Sequence, residues 1–268
     1  MVPYVASPDQ VLSQPSILES HIEKMRANAL PSIFDTAESA DVNGVAAENL
    51  IQATRILGDS TSNAAATTIF EKLGTLVVGS DVSHFRVPQP GAHPMLSDYL
   101  AYSAAALADY ENLGRVNSLL EGQRVLQRAF QIFPAASFPG LLCTSGDTPL
   151  RDKFANSSSP QLADDVGESC TSLIIRLGHD YGNLLQNSSD HKLARLAKSW
   201  LQISLRLSQS VISTAHQLGP NAGGIYNARA LIQDGRFAIT VGKNPTSMAQ
   251  SVVQQSPLFL VAPAIGPV

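Results

Sequence analysis

Charge is scarce in this chain. Asp, Glu, Lys and Arg make up 15% of its 268 residues, against about a quarter in ordinary soluble domains. Much of the surface must therefore be Ser, Thr, Asn and Gln. The net charge is only −4, and no Lys/Arg block interleaves with aromatic residues, which excludes nucleic acid as an expected partner. No apolar run approaches the roughly 18 residues of a membrane-spanning helix, so a membrane partner is not expected either. The opening MVPYVASPDQ lacks both the basic segment and the apolar core of a secretory signal, which makes the cytoplasm the default expectation. In that setting Asn156-Ser-Ser and Asn187-Ser-Ser, which fit the glycosylation pattern, carry no meaning.

Cysteine is nearly absent too. Cys143 and Cys170 are the two present, and they read as small buried thiols rather than a disulfide framework. There is no CxxC, no HExxH and no Cys/His cluster with zinc spacing, so neither a metal nor a cofactor is expected. No GxSxG elbow points to a serine hydrolase. What the chain does have is 44% hydrophobic residues, enough over this length to bury a large core.

Those residues fall at helical spacing. Leu96–Gly114 (LSDYLAYSAAALADYENLG) is apolar around most of its circumference and reads as an inner helix with neighbours on several sides. Its partner, Val116–Phe133, carries Leu119, Leu120, Leu126, Phe130 and Phe133 on one stripe, with Arg115, Arg124 and Arg128 mostly opposite. The same pairing is expected for Gly44–Gly58 with Thr61–Val78, and for Gly167–Gly182 with Asp190–Leu218. Asp190 is the N-cap of that last helix, and Gly219-Pro220 its stop. A further helix is expected over Ser16–Ala29. Gly58, Gly114 and Gly182 close the three inner helices in this reading, which suggests a repeat of two helices per unit. Gly79–Pro94 and Pro134–Pro160 read as loops, the latter with a short strand in SFPGLLCTS.

The tail changes period. RFAITVG (236–242) and PLFLVAP (257–263) read as strands around a short helix, Pro245–Gln254, opened by Asn244 as cap. If the strands are parallel, that helix is the crossover between them. The expected fold is therefore mainly α: stacked antiparallel helical hairpins forming a partial (α/α) toroid over 1–234, with a small C-terminal β-α-β element over 235–268.

DVNGVAAENLIQATRILGD, LSDYLAYSAAALADYENLG and the tail RFAITVG with its helix and strand resemble, in that order, the C-terminal portion of the thioredoxin-domain or spermatogenesis-associated protein 20-like family. The resemblance covers about half of the chain. It implies an (α/α) toroid related to six-hairpin glycosidases and sugar epimerases. It does not carry redox activity here, because the chain has neither a thioredoxin domain nor CxxC. The three or four hairpins present, against six in a closed ring, imply a missing N-terminal half or a homo-oligomer that covers the open edge.

In such toroids ligands meet the ends of the inner helices and the loops entering them. Asp41, Glu48, His93, Asp98 and Asp165 are the candidate acid/base residues there, and Asn43, Tyr99, Glu168 and Lys243 the candidate binding residues. Two carboxyl groups across a cleft can protonate a glycosidic oxygen and activate water. Asp41, Asp98, Asp164 and Asp165 suit helix N-termini first, where free amides stabilise them. His93 and His179 are the nearest pair for an epimerase. Tyr99, Tyr102 and Tyr110 are spaced to stack on a sugar or to pack in a core. Arg55 and Arg176 read first as structural, binding carbonyls or carboxylates between repeats. Two functions stand: a structural or partner-binding toroid module of a larger protein, or a carbohydrate-active enzyme of glycosidase or epimerase type. The partner is accordingly a carbohydrate or another protein domain.

Overall fold

Small side chains decide the centre of this protein. The computed structural model describes residues 39–57, 60–86, 93–133, 162–164, 167–234, 238–241 and 260–263, all within one compact unit spanning 37–268. Helix α1 is Ala40–Leu57, α2 Ser60–Gly74 and α3 Leu96–Leu113. Helix α3 is buried without a break from Asp98 to Tyr110. Its run of alanines lets other helices close on several sides: a Cβ on Gly44 of α1 would stand 2.7 Å from the Ala101 Cβ. Leu100 and Leu107, both buried in this helix, each contribute about 1.5–3 kcal/mol.

Among the described residues, three helical hairpins follow one another. In each, an inner helix (α1, α3, or α5 at Cys170–Leu185) is followed by an outer one: α2, α4 at Val116–Ile132, or α6 at His191–Ser210. The inner helices run parallel. Gly44 meets Ala101 near the starts of α1 and α3, and Arg55 pairs with Glu111 near their ends. The outer helices show the expected amphipathic pattern, α4 burying Leu119, Val125, Leu126 and Ala129 while Arg124 stays exposed. Gly114 ends α3 in the left-handed region at φ 69°, where glycine is the least strained residue, and its N–H donates to the Tyr110 carbonyl. Asp190 caps α6 as its position suggested, its Oδ1 accepting from Lys192 N at 2.7 Å.

The chain departs from its pattern in four places. Gly182 does not end the third inner helix, which continues to Leu185. A Cβ there would lie 2.6 Å from Leu201 Cγ, so this glycine serves the approach of α6 and the expected glycine repeat fails at its third member. Thr61–Val78 is not one helix: α2 stops at Gly74, and β1 (Val77–Val78) turns through Gly79 into β2 (Asp81–Val82) as an antiparallel hairpin. β-Branched Val77 and Val78 followed by a glycine at φ 68° favour that turn over a further helical one. The helix after Asp190 breaks at Val211 into α6 and α7 (Ile212–Leu218). Last, Gly219-Pro220 gives a 3-10 turn, Gly219–Ala222, that runs into α8, Gly223–Asp234.

Helix α8 takes the position of a fourth inner helix. Its first residues lie against the start of α5: Gly224 N donates to Asp164 Oδ2 at 2.6 Å, and a Cβ on Gly224 would stand 2.6 Å from Ser172 Oγ. Strands β3 (Ala238–Val241) and β4 (Leu260–Pro263) pair in parallel, Ala238 opposite Leu260, and β4 runs beside α3. The expected tail helix at 245–254, the helix at 16–29, the strand in SFPGLLCTS, Gly58 and Cys143 lie outside the described residues. Cys170 is buried at the start of α5.

Candidate functional site

Parallel inner helices bring their N-terminal ends, with their unbonded amides and positive dipole ends, to one side of the protein. Two groups of polar side chains gather there.

The first lies at α1 and α3. Asp98 sits three residues after the N-cap of α3, and its Oδ2 accepts from Met95 N at 2.7 Å. Its Oδ1 lies 2.8 Å from Nδ1 of His84, in the stretch after β2. That stretch is tied to the start of α1, because Ala40 N donates to the His84 carbonyl at 2.8 Å and Ser39 bridges to Phe85. Asp41, in the first turn of α1, accepts from its neighbour Val42 N at 2.8 Å. One donor atom each from Asp41, His84 and Asp98 lies within 4.8 Å of the others. Burial pushes the Asp98 carboxyl up, against the opposing pull of the Met95 amide and His84.

The second is a pocket of about 490 Å³ at the starts of α5 and α8, lined by Asp164, Glu168, Arg176, Gly224, Asn227 and Leu231 among others. Asp164 fixes the mouth: its Oδ1 accepts from Ser169 N at 2.8 Å, its Oδ2 from Gly224 N at 2.6 Å. Gly224 leaves the space, since a Cβ on it would come 2.9 Å from Asp164 Oδ1 and 3.1 Å from Glu168 Cγ. At the base, Glu168 Oε2 accepts from Arg176 Nε at 3.1 Å and Nη2 at 3.0 Å. Arg176 Nη1 reaches back to Glu48 Oε1 of α1 at 3.0 Å, which also accepts from Gln52 at 3.0 Å. Burial would lower the Arg176 pKa, but Glu48, Glu168 and Asp180 outweigh it and raise it further, so the guanidinium stays charged.

Glu168 and Glu48 thus share one arginine, the first toward the pocket and the second behind it. Asp41 and Asp98 meet at the other group. His93 is half-buried just ahead of α3. Asn43 bonds back along the first turn of α1, its Nδ2 donating to the Ser39 carbonyl at 2.7 Å. Tyr99 is a core residue, 1% exposed and edge-on to Phe133, so it faces no sugar. Tyr102 and Tyr110 are buried likewise, and burial pushes the Tyr110 hydroxyl up to about 12. His179 lies on α5 beside Asn183, at 3.1 Å from its amide nitrogen. Asp165 and Lys243 lie outside the described residues. Arg55 and Arg176 do pair with carboxylates between repeats, as their positions implied.

His84 and Asn227 escaped the sequence reading. His84 sits in a Pro- and Gly-rich stretch without periodicity, and the contacts of that stretch with Ser39 and Ala40 give it its place. Asn227 stands on α8, hidden by the Gly-Gly pair at its start, although Ile225 and Ala228, both buried, already show an apolar side.

No family model matches the chain, and no curated protein matches it. Among solved structures, the fold is similar to that of a GH76 α-mannanase of Bacteroides thetaiotaomicron, with a TM-score of 0.52 at 12% sequence identity. The likeness covers 90% of this chain and 65% of the mannanase. At that identity it establishes the mainly helical, α/α-toroid type of fold.

Proposed function

We propose that this chain is a carbohydrate-active toroid that binds a saccharide in the pocket at the starts of α5 and α8 and acts on its glycosidic bond. The pocket itself carries the reading: about 490 Å³ falls within the roughly 300–1,000 Å³ of small-ligand sites, and its polar groups match a polyol. Glu168 and Asp164 accept hydrogen bonds, Arg176 donates, and Asn227 does both. Leu231, part-exposed at the wall, offers an apolar patch to the C–H face of a sugar ring. The toroid half of the family resemblance and the glycosidase fold of the structural neighbour support the same direction.

Glu168 is the group placed to exchange a proton with substrate, because Asp164 has an oxygen engaged by each of two amides and Glu48 lies behind Arg176. Glycoside hydrolysis uses one carboxyl group to protonate the leaving oxygen and a second to activate water or attack the sugar. Asp164, with an oxygen accepting from each of two backbone amides, suits the charge-stabilising role. The test is a panel of neutral and amino oligosaccharides assayed for released reducing ends, with thermal shift as a binding readout. The reading expects one saccharide class to raise the midpoint and be cleaved, and Glu168→Gln to abolish cleavage while keeping the shift. A shift without cleavage reduces the function to carbohydrate binding. Neither effect with any saccharide sinks the proposal in favour of a structural or partner-binding module, the other function the sequence suggests.

A further inference from the structure

We infer that Asp41, His84 and Asp98 form a site for one divalent cation of the Zn²⁺ or Mn²⁺ class. The three residues come from separate segments: the first turn of α1, the stretch after β2 and the first turn of α3. One donor atom of each nevertheless lies within 4.8 Å of the other two. Backbone hydrogen bonds bring them there. Ala40 N to the His84 carbonyl at 2.8 Å and the Ser39–Phe85 bridge fix the imidazole's segment to α1, and the His84 ring packs on Phe85 with centroids 4.2 Å apart.

Each carboxylate has one oxygen oriented by a backbone amide, Asp98 Oδ2 by Met95 N at 2.7 Å and Asp41 Oδ1 by Val42 N at 2.8 Å. Such outer bonds are what orient the ligands of metal sites. An imidazole nitrogen with two carboxylate oxygens is a donor set for Zn²⁺ or Mn²⁺, whereas Ca²⁺ and Mg²⁺ favour oxygen alone. Tetrahedral bonds of about 2.0–2.2 Å put ligand atoms roughly 3.4 Å apart. The 2.8 Å His84–Asp98 contact needs to open slightly and the widest pair to close, movements within the reach of side-chain rotation. A dication would cancel both facing carboxylate charges. Three protein ligands also leave a coordination position for water or a ligand oxygen. The sequence gives no sign of this site, because its ligands are single residues rather than a spaced motif.

The full chain, stripped with chelator and dialysed, is titrated with ZnCl2 and separately with MnCl2 by calorimetry. One equivalent per chain is expected for at least one ion. His84→Ala and Asp41→Asn should each weaken binding roughly 100-fold, the upper end of what losing even an outer partner costs, while the metal-free variants keep the circular dichroism of the parent. If His84→Ala does not fold, Asp41→Asn alone decides. Absence of stoichiometric binding by both ions, or binding undiminished in the folded variants, overturns the site and leaves His84–Asp98 as a helix-capping pair.

Discussion

Arg176→Met removes the charge that joins α1 to α5 while keeping a long side chain in its place. In the parent, Arg176 contacts Glu48 and Glu168, each at 3.0 Å, with side chains 16%, 10% and 28% exposed respectively. Deleting one partner of a fully buried ion pair costs about 3–5 kcal/mol. The partial exposure here, Glu168 above all, reduces that to about 2–3 kcal/mol. For a chain of this size the thermal midpoint should then fall by about 4–12 °C. The loss must also depend on pH. Without the guanidinium, two carboxylates face each other in the folded state and are apart in the unfolded one. The folded variant therefore takes up a proton more readily than the unfolded chain, and its stability rises as the pH falls. Urea unfolding at about pH 4.5 and pH 7.5 measures both effects, and Glu48→Gln in the same background should recover part of the loss at the higher pH. A deficit under about 0.5 kcal/mol, or one equal at the two pH values, would refute the shared-arginine account.

Other outcomes follow from named contacts. Asp109 is buried and its carboxyl is pushed up by that burial, against Ser118 and Arg115. The folded state holds its proton more tightly, so this group's stabilisation is full below about pH 4 and is lost as pH rises through the raised value. The midpoint of Asp109→Asn should accordingly gain on the parent between about pH 4 and pH 7, checked by calorimetric scans; a difference independent of pH would contradict it. Gly182→Ala should destabilise by about 1–3 kcal/mol, because its Cβ would overlap Leu201. At Gly74 nothing lies within 4 Å of a Cβ, and alanine should be stabilising by about 0.4–1 kcal/mol; chemical denaturation separates the two signs. Tyr181→Phe removes the hydrogen bond to the Ser103 carbonyl, 2.8 Å long, and should cost about 0.5–1.5 kcal/mol in the same assay.

How far the sequence could be read follows from which force shapes each element. Helices α3 and α4 were legible because apolar periodicity alone sets them, and Gly114 and Asp190 because capping is local chemistry. Gly182 misled because a glycine that admits a neighbouring helix looks the same in sequence as one that ends its own. Val77 and Val78 continued a helical stripe, yet their pairing with Val82 and Asp81 is a contact between strands that a one-helix pattern does not anticipate. Helix α8 was hidden by Gly219, Pro220, Gly223 and Gly224. Within the candidate site, Asp41, Asp98 and Glu168 could be placed at helix starts. Their partners His84 and Gly224 come from other segments, as does Glu48, which Arg176 of α5 reaches, and only the packing of the helices brings these together.

Charge scarcity gives those partners their meaning. A protein with few ionised groups gains little from burying them unless each has a counter-charge, and Arg55 with Glu111, Arg115 with Asp109, and Arg176 with Glu48 meet that condition between elements. Arg55 and Arg176 both link inner helices, where slippage of one past another would separate them, so these pairs set register along a stack of otherwise apolar helices. Two groups differ from them. Glu168 shares an arginine that Glu48 already engages and lines an open pocket, and Asp41 and Asp98 converge on a histidine rather than on a permanent cation. A carboxylate kept only for register would need neither a pocket nor a second acid beside it. Substitution should sort them accordingly. Gln at Glu48 or Glu111 should act on stability, whereas Gln at Glu168 and Asn at Asp41 should act on ligand and cation binding with the fold retained.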